Sequence, residues 1–466
     1  MLQIDYSLTF AIPDNPARRG TIKFLGGDIL KKWFLLLMVV ALFLSSLTVM
    51  AAPKVTLRYS LWDSNQQPAM EASIKEFMKQ NPDIDVKVEL VEWNDYWTKI
   101  TTGIAAGTLP DVFWGHLAYF SGLITKGALM DLTPYIKKDK VDLKAYYPEL
   151  VKNWNYKGKQ YGVPKDWDTI CVFYNKDLFD KAKIPYPGED WSWNPKDGGE
   201  FLQIAQKLTL DAGGKNATEK GFDKNKIAQY GLSAFVKGDN AQAGYLNFIW
   251  MNGGTGIINK PYGTRFVMDQ AKAVQTLQFW ADLVNKYNVA PAPGGQLSTS
   301  GDWEVFKGQK AAMEINGSWM MSDARASFKF KWDVAMLPKG PAGRYSCFNG
   351  LAHNIFAKTK YPAQAWKLCK WMDSTESQKI ITQYGVVFPA VSKLMPEYLA
   401  ATKAKGPEHV KYFIDETAKT GLWPMHQNWA QIFDVVQREL DLAFTGSQTA
   451  KEAVTNIKSQ VDPLLK

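Results

Sequence analysis

Residues that build metal centres and disulfide frameworks are scarce in this chain. It has 466 residues, with three cysteines and four histidines. No C-x-x-C pair occurs, and no two histidines have the spacing of metal ligands, so the sequence predicts no metal site and no cofactor. Cys171 lies in an apolar run and is expected to pack as a small hydrophobic residue. Whether two of the three cysteines form a disulfide stays open.

Signatures of common enzyme classes are also missing. The sequence has no G-x-S-x-G, no H-E-x-x-H and no phosphate-binding G-x-x-x-x-G-K-[ST]. We therefore predict no catalytic residues and no enzymatic activity. Because Asp and Glu are plentiful, a pair of glycosidase carboxylates stays open as an alternative.

Blocks of one charge and long apolar runs are missing beyond residue 52. The net charge of +9 is spread along the chain, which predicts no nucleic-acid partner. The composition, 46% hydrophobic and 22% charged, is typical of a globular chain. The length that follows residue 52 is enough for two domains.

An export signal is predicted near the N-terminus. Lys31 and Lys32 precede an apolar run that is too short to span a bilayer, and small residues close the segment at Ala52. No cysteine follows the small residues, so we expect an unanchored protein in the periplasm. We interpret 1–52 as a spurious leader plus signal peptide, with the natural translation start at Leu30.

Strand and helix patterns alternate after the signal. Alternating apolar residues predict strands at 55–61 and 84–90, with a helix at 69–80 between them and a short strand at 111–114 after a second helix. This order favours parallel β-α-β units and the α/β class. Later predicted elements are strands at 331–337 and 351–357 and helices at 271–287, 362–383 and 427–444.

Residues 188–225 form an irregular region rich in Gly, Asp, Asn and Lys, with Trp191 and Trp193 inside it. Its oxygen-bearing side chains do not match the spacing of a calcium-binding EF-hand loop. A solvated loop is therefore favoured over a calcium site. The side chains considered as calcium ligands are Asp211, Asn216, Asp223 and Asn225.

Tryptophan is the abundant residue type, with 18 copies, and aromatics make up 13% of the chain. Trp280, Trp366 and Trp371 have helical spacing with other apolar residues, which predicts core packing. A second set follows strand ends or lies in turns rich in Gly and Asn. This set is Trp62, Trp114, Trp167, Trp250, Trp319 and Trp423.

The second set has polar neighbours that suit a sugar. Ligands of open α/β sheets bind beyond the carboxyl ends of strands. Indole rings stack on the apolar faces of pyranoses, while acids and amides bond the hydroxyl groups. Each single tryptophan is equally well explained by loop packing, but together they predict a sugar cleft. The polar neighbours are Asp63, Asp166, Asp168 and Asn252.

Five segments carry a resemblance to a known family: 109–114, 161–164, 174–179, 310–319 and 384–390. Together they resemble the extracellular solute-binding proteins of carbohydrate ABC transporters, a family that includes maltodextrin-binding protein. The resemblance implies an α/β fold of two lobes, a hinge of several chain crossings, and a ligand cleft between the lobes. It places 53–166 and 353–397 in the N-terminal lobe, and 167–352 and 398–466 in the C-terminal lobe.

The same resemblance implies roles for individual residues. Trp114 would contact the sugar from the first lobe, and Trp319 would be a stacking platform on the second, with Trp423 as another. Asp168 would accept hydroxyl hydrogen bonds near the hinge. The pair Asn349-Gly350 would let the backbone approach the ligand. The chain departs from the family where Leu117-Ala118-Tyr119 replaces an expected arginine or acid.

These observations predict the substrate-binding component of an ABC sugar importer. It is expected to be a monomer that captures a mono- or oligosaccharide by lobe closure and delivers it to the membrane permease subunits. Two alternatives stay open: a secreted glycoside hydrolase, and a receptor for a polyamine or glycerol phosphate. The acids Asp63, Asp166 and Asp168 keep the polyamine alternative open, because ammonium groups bind boxes of aromatic rings and acids.

Overall fold

A computed structural model of the chain describes residues 54–234, 240–293, 297 and 301–466. Within it, Val55–Lys466 form one compact unit. The predicted leader and export signal, 1–52, lie outside the described residues. None of the helices in the described residues is both long enough and apolar enough to cross a bilayer.

The strands are short. They are β1 (Val55–Leu61), β2 (Ile84–Leu90), β3 (Val112–Gly115), β4 (Asn155–Tyr156), β5 (Lys159–Gln160), β6 (Val163–Pro164), β7 (Asp166–Trp167), β8 (Ile170–Asn175), β9 (Leu210–Asp211), β10 (Ile227–Ser233), β11 (Ala311–Gly317), β12 (Trp332–Ala335), β13 (Ser346–Phe348), β14 (Ala352–Ile355), β15 (Phe388–Pro389) and β16 (Thr420–Leu422).

The helices cover the sheets and connect their strands. They are α1 (Gln67–Gln80), α2 (Trp93–Ala106), α3 (Leu117–Thr125), α4 (Thr133–Asp139), α5 (Pro148–Asn153), α6 (Lys176–Ala182), α7 (Gly199–Leu208), α8 (Asn240–Ala243), α9 (Tyr245–Met251), α10 (Ala271–Asn285), α11 (Asp302–Lys307), α12 (Met321–Ser327), α13 (Pro362–Met372), α14 (Thr375–Tyr384), α15 (Met395–Thr402), α16 (Tyr412–Asp415), α17 (Trp429–Phe444) and α18 (Ala450–Val461).

The first sheet has the strand order β2-β1-β3-β14-β6. In β1, Leu57, Tyr59 and Leu61 are fully buried, which is the period of two that the sequence predicted. Strand β1 runs parallel to β2 and β3, as expected for β-α-β units. Strand β14 is antiparallel to β3 and β6, so this sheet is mixed. The reason is that β14 enters from a distant part of the chain rather than through a helical crossover.

The second sheet has the order β12-β8-β11-β10-β9. All residues of β8 are buried, as in a central strand covered on both faces. Strand β8 is antiparallel to β11 and β12, whereas β10 and β11 are parallel. This sheet is therefore also mixed.

Two predicted regions differ from the structure. The helix predicted at 362–383 is two helices, because the Ser374 side chain accepts a hydrogen bond from the Ser377 N–H and begins α14. The region 188–225 contains α7, and Trp191 and Trp193 are buried rather than solvated.

Asp211, which was considered as a calcium ligand, forms hydrogen bonds with the backbone of its own loop. Its carboxylate accepts backbone N–H groups of Gly213, Lys215 and Asp223 at 2.8 to 2.9 Å. These bonds occupy both carboxylate oxygens. The Asp211 side chain therefore organises the backbone of this loop.

The chain passes between the two sheets more than once. It leaves the first sheet after β6 to form β8, and it returns from β12 to β14. Two short strand pairs, β7 with β15 and β13 with β16, brace these crossings, and Asp168 pairs with Asn349 in an isolated bridge. The last helices, α17 and α18, pack on α10.

The predicted core residues are largely buried. Trp280 is fully buried and Trp366 is 5% exposed, while Trp371 is half-buried. Cys171, Cys347 and Cys369 are all buried thiols in the described residues. Burial raises the pKa of the Cys171 thiol well above its usual range, in keeping with a packing role.

Candidate functional site

A cavity of about 400 Å³ lies between the two sheets, where several strands end. Strand β1 leads directly into Trp62 and Asp63, β3 leads into His116, and β11 leads into Ser318 and Trp319. The carboxyl ends of strands leave polar backbone and side chains facing outward from the sheet. The cavity therefore receives one wall from each sheet.

Five tryptophans line this cavity and make it an aromatic box. Four of them are partly exposed and Trp167 is 2% exposed. Trp62 and Trp93 pack edge to face with ring centroids 5.1 Å apart. The flat apolar rings are the surfaces on which a pyranose stacks. The five are Trp62, Trp93, Trp167, Trp303 and Trp319.

Carboxylates on the first-sheet side and in the crossing segments are already held by hydrogen bonds. Asp63 accepts the Gln66 amide N–H at 2.6 Å, and burial raises its pKa above the usual value. Asp168 accepts Gln242 Nε2 at 2.8 Å and Asn349 Nδ2 at 3.3 Å. Burial raises the pKa of Asp168 well above its usual range. These acids are oriented by donors and can accept hydroxyl groups with their remaining lone pairs.

Asp166 has a buried cation as its partner. The Lys165 ammonium bonds the Asp166 carboxylate, and both side chains are almost fully buried. Lys165 Nζ also lies 3.7 Å from the centre of the Trp114 ring, a cation–π contact. Asp166 accepts the backbone N–H of Leu351 at 3.1 Å as well. The pair therefore fixes the floor of the cavity, behind the tryptophans.

His116 contributes a neutral imidazole. Burial lowers its pKa to about 4, so the ring is uncharged at neutral pH. Its Nδ1 accepts the Ala118 N–H at 3.1 Å, and its Nε2 lies 3.2 Å from Asn349 Nδ2. The imidazole thus contributes hydrogen-bonding atoms and an apolar face but no charge.

The second-sheet wall carries an acid with fewer partners. Glu314, in β11, is 1% exposed, and its Oε1 accepts Asn316 Nδ2 at 2.7 Å. Its Oε2 has no hydrogen-bond partner among the described residues. Burial, and secondarily the charge of Asp302, raises the Glu314 pKa well above its usual range. Asp302 and Trp303 begin helix α11 and line the same wall.

The structure brings most of the residues predicted for the site into this cavity. The others lie elsewhere, for the packing reasons given in the next paragraphs. Those that line the cavity are Trp62, Asp63, Asp166, Trp167, Asp168, Trp319 and Asn349.

Trp114 lies behind the cavity wall and not in it. It is fully buried, and the Trp62 ring packs on it edge to face at 5.1 Å. Its indole N–H donates to the Tyr59 hydroxyl at 2.6 Å. Trp62, rather than Trp114, therefore presents the aromatic surface of the first-sheet wall, which corrects the placement that the family resemblance implied.

Trp250 and Trp423 line a separate cavity of about 320 Å³. Trp423 is 1% exposed and packs on Trp429. Asn252 ends helix α9, and its side chain donates to the Lys272 carbonyl at 2.9 Å. Trp423 also packs edge to face on His116, a lining residue of the first cavity, with ring centroids 5.9 Å apart. Trp250, Trp423 and Asn252 are themselves not among the lining residues of that cavity.

Gly350 serves close packing of the crossing segment. A Cβ at this position would lie 2.5 Å from Leu150 Cδ2 and 2.9 Å from the Asp166 carbonyl oxygen. The backbone approaches its own neighbours here, while the adjacent Asn349 lines the cavity. The close approach that the sequence predicted is therefore to protein atoms.

Several cavity residues escaped the sequence analysis, although some carried a signal. Trp93 follows the end of β2 and His116 follows β3, so the same strand-end rule applies to them. Glu314 is a charged residue within an apolar strand, which is itself unusual. Gln66, Gln242, Asp302 and Trp303 lie on helices or connections, where no local pattern marks them.

One group of potential metal ligands lies away from the cavity. Asp333, Glu408 and His409 have ligand atoms within 4.8 Å of one another. His409 Nδ1 already bonds Asp333 at 2.7 Å, and Glu408 lies 3.7 Å from the Lys176 ammonium. The contacts are those of an ordinary polar cluster.

Known proteins that are similar to this chain in sequence are solute-binding proteins. The model of the family described as bacterial extracellular solute-binding protein matches residues 72–412. The galactooligosaccharide-binding protein of Bacillus subtilis is 24% identical over 412 residues, 86% of this chain and 88% of that protein.

Solved structures of other binding proteins have the same fold as this chain. An ABC substrate-binding protein from Listeria monocytogenes in complex with cycloalternan has a TM-score of 0.76 and 28% identity, covering 88% of this chain and 99% of that chain. M. tuberculosis UspC has a TM-score of 0.68 and 27% identity, and the match covers 88% of this chain and 100% of the UspC chain. The two sheets are accordingly the two lobes of a periplasmic-binding-protein fold with the ligand cleft between them. With most of its length matched by the family model, the chain belongs to the bacterial extracellular solute-binding proteins.

Proposed function

We propose that the protein is the substrate-binding component of an ABC importer and that it binds a mono- or oligosaccharide. The observation that carries this proposal is the box of five tryptophans, combined with acids and amides in one cavity. Stacking buries the apolar face of a sugar ring, and the polar groups bond its hydroxyls. The Bacillus subtilis relative is a galactooligosaccharide-binding protein, which supports the same class of ligand.

In this proposal, each wall of the cavity provides its own tryptophans for stacking on the sugar. Trp62 and Trp93 stack from the first lobe, and Trp303 and Trp319 stack from the second. The acids and amides of the crossing segments bond hydroxyl groups near the hinge. These crossing residues are Asp166, Asp168 and Asn349.

Lobe closure is part of the proposal. Because each lobe supplies one wall, a ligand that touches both walls binds the closed form better than the open form and shifts the equilibrium toward it. The predicted boundaries, 53–166 with 353–397 and 167–352 with 398–466, place Trp62 and Trp319 on opposite lobes. In this scheme the exported, monomeric protein delivers the closed complex to the permease subunits in the periplasm.

A thermal-shift screen tests the proposal. The purified protein is melted with a panel of mono- and oligosaccharides, and with putrescine, spermidine and glycerol phosphate as non-sugar ligands. A ligand at 100 times its dissociation constant adds about 2.7 kcal/mol of stability. Stabilisation by a sugar supports the proposal. Stabilisation by the non-sugar ligands alone contradicts it.

A second measurement separates binding from hydrolysis. The sugar found in the screen is incubated with the protein and the products are separated by chromatography. We expect the sugar to be recovered intact. Release of shorter sugars at a rate that scales with protein concentration would instead indicate a glycoside hydrolase.

A further inference from the structure

The lining of the cavity is rich in acids, and the buried Lys165 behind it attracts Asp63 and Asp168 as well as its partner Asp166. Five carboxylates line the cavity, and no lysine or arginine is among its described lining residues. The nearest cation of the floor, Lys165, is already paired with Asp166. The five are Asp63, Asp166, Asp168, Asp302 and Glu314.

The carboxylates of the two walls differ in how they are satisfied. Asp63 and Asp168 accept side-chain amides, and Asp166 has its ammonium partner. Glu314 accepts one bond from Asn316 within the same strand, and its second oxygen has no described partner. A polar atom that is buried without a hydrogen bond costs free energy. Among the five carboxylates, Glu314 is therefore the one with a buried oxygen that lacks a partner in the described residues.

Two acids on this wall also repel each other. The charge of Asp302 disfavours ionisation of Glu314, in addition to the effect of burial. A hydroxyl group donates one hydrogen bond and brings no charge, whereas an ammonium group donates three and brings a positive charge. An ammonium group therefore offsets both the missing bond and the repulsion, and charge-assisted bonds are the stronger kind.

The indole faces next to Glu314 and Asp302 also suit an ammonium group. Trp303 follows Asp302 directly and Trp319 follows β11, which contains Glu314, and both indoles line the cavity. An ammonium group over an indole face gains a cation–π contact, and the attached ring gains a stacking surface.

We propose that the sugar bound by this cavity is an amino sugar, with its ammonium group between Glu314 and Asp302 and its ring on the adjacent tryptophans. The inference rests on the proposed function and narrows it to a class of sugar. It also explains why acids occupy this wall rather than the neutral amides that suffice for hydroxyl groups.

Matched ligands test the inference by titration calorimetry at neutral pH. Glucosamine, galactosamine and the β-linked glucosamine dimer are each compared with the N-acetylated form and with glucose, galactose and cellobiose. For the amine that fits, we expect affinity higher by about tenfold to a hundredfold than for its amine-free counterparts, the value of a hydrogen bond to a charged group.

A pair of variants locates the ammonium site. Glu314→Gln is expected to weaken binding of the amino sugar by about tenfold or more while changing the affinity for the amine-free sugar little. The matched control is Glu304→Gln, which removes the same charge from a half-exposed side chain outside the cavity lining. If Glu314→Gln lowers the melting temperature, Asp302→Asn, at the partly exposed start of α11, provides the same comparison.

The outcomes separate the two proposals. Amine-free sugars that bind as tightly as the amino sugars, or equal losses in Glu314→Gln and Glu304→Gln, overturn the amino-sugar inference and leave the sugar receptor standing. Binding of putrescine or spermidine without any sugar binding, or no binding by any sugar of the panel, counts against both.

Discussion

Trp319 and Trp280 are both indoles of the second lobe, and they differ in what surrounds them. Trp319 is partly exposed and lines the cavity, whereas Trp280 is fully buried and packs on Phe248 with ring centroids 5.0 Å apart. The first ring offers surface to a ligand and the second offers it to the core. Their substitutions should therefore affect different measurements.

We expect Trp319→Ala to weaken sugar binding by about 1–3 kcal/mol, the value of one large aromatic anchor. Its melting temperature should change little. Trp280→Ala should lower the free energy of unfolding by about 3–5 kcal/mol because it leaves a cavity in the core, with affinity nearly unchanged in the folded protein. Titration with the sugar and thermal melts measure both. The reverse pattern would contradict this assignment of the two rings.

Glu416 gives the free energy of unfolding a dependence on pH. Burial raises the pKa of its carboxyl to about 8 from 4.5, and its Oε1 accepts the Leu337 N–H at 2.6 Å. The folded state holds the Glu416 proton more tightly than the unfolded state does. Protonated Glu416 therefore stabilises the folded protein fully at pH values below the pKa that this carboxyl has in the unfolded chain. This stabilisation is lost as pH rises toward 8.

The Glu416→Gln variant, which cannot ionise, should therefore lose less stability than the wild type between about pH 5 and pH 8. Thermal melts of both proteins across this range measure the difference. Glu408→Gln is the matched control, because this nearby side chain is 71% exposed. Parallel curves for wild type and Glu416→Gln would show that Glu416 is ionised in the folded protein throughout.

At the scale of elements, the crossing segments combine tight packing with cavity residues. Gly350 lies between Asn349, which lines the cavity, and β14 of the first sheet. An added methyl group would lie 2.5 Å from Leu150 Cδ2 and 2.9 Å from a backbone oxygen. Backbone atoms can yield little, so the crossing itself would have to move.

We expect Gly350→Ala to cost about 1–3 kcal/mol of stability through overpacking and to weaken sugar binding as Asn349 shifts. Gly188→Ala is the control, since a Cβ there meets no atom within 4 Å. Chemical denaturation and ligand titration of both variants provide the test. Equal stability of the two variants would mean that the crossing adapts without strain.

The local elements were predictable where a single periodicity governs the residues. Strands 55–61 and 84–90 have the predicted bounds because their apolar residues alternate along each segment. The antiparallel entry of β8 and β14 was not predictable, since it depends on where the chain crosses between sheets. Likewise, the split of 362–383 depends on one side chain, Ser374, competing for the backbone.

The site was predictable in part for a related reason. Trp62 was found from the strand pattern, and Trp319 was found from its turn rich in Gly and Asn together with the family resemblance. Trp114 has the same local setting but is covered by Trp62, and coverage is a tertiary property. Trp303 reaches the cavity from a helix whose position only the folded chain defines.

At the scale of the whole molecule, two walls from two lobes predict a change of shape on binding. Small-angle scattering should show a smaller radius of gyration with saturating sugar than without it. At equal occupancy by the sugar, the radius of gyration of the Trp319→Ala variant should decrease less than that of the wild type, because the sugar loses a contact with the second lobe. Trp280→Ala, if folded, should close as the wild type does. An unchanged radius in the wild type would indicate a rigid pocket.

The return of the chain to the second lobe has a consequence for biosynthesis. Helices α17 and α18 cover α10, which precedes them by more than a hundred residues. The first lobe likewise depends on a late helix, because α14 packs on α1 and the hydroxyls of Ser73 and Ser377 are 2.6 Å apart. Neither lobe can complete its apolar packing until these late helices have left the ribosome. The nascent polypeptide should therefore stay open and accessible to chaperones until they emerge.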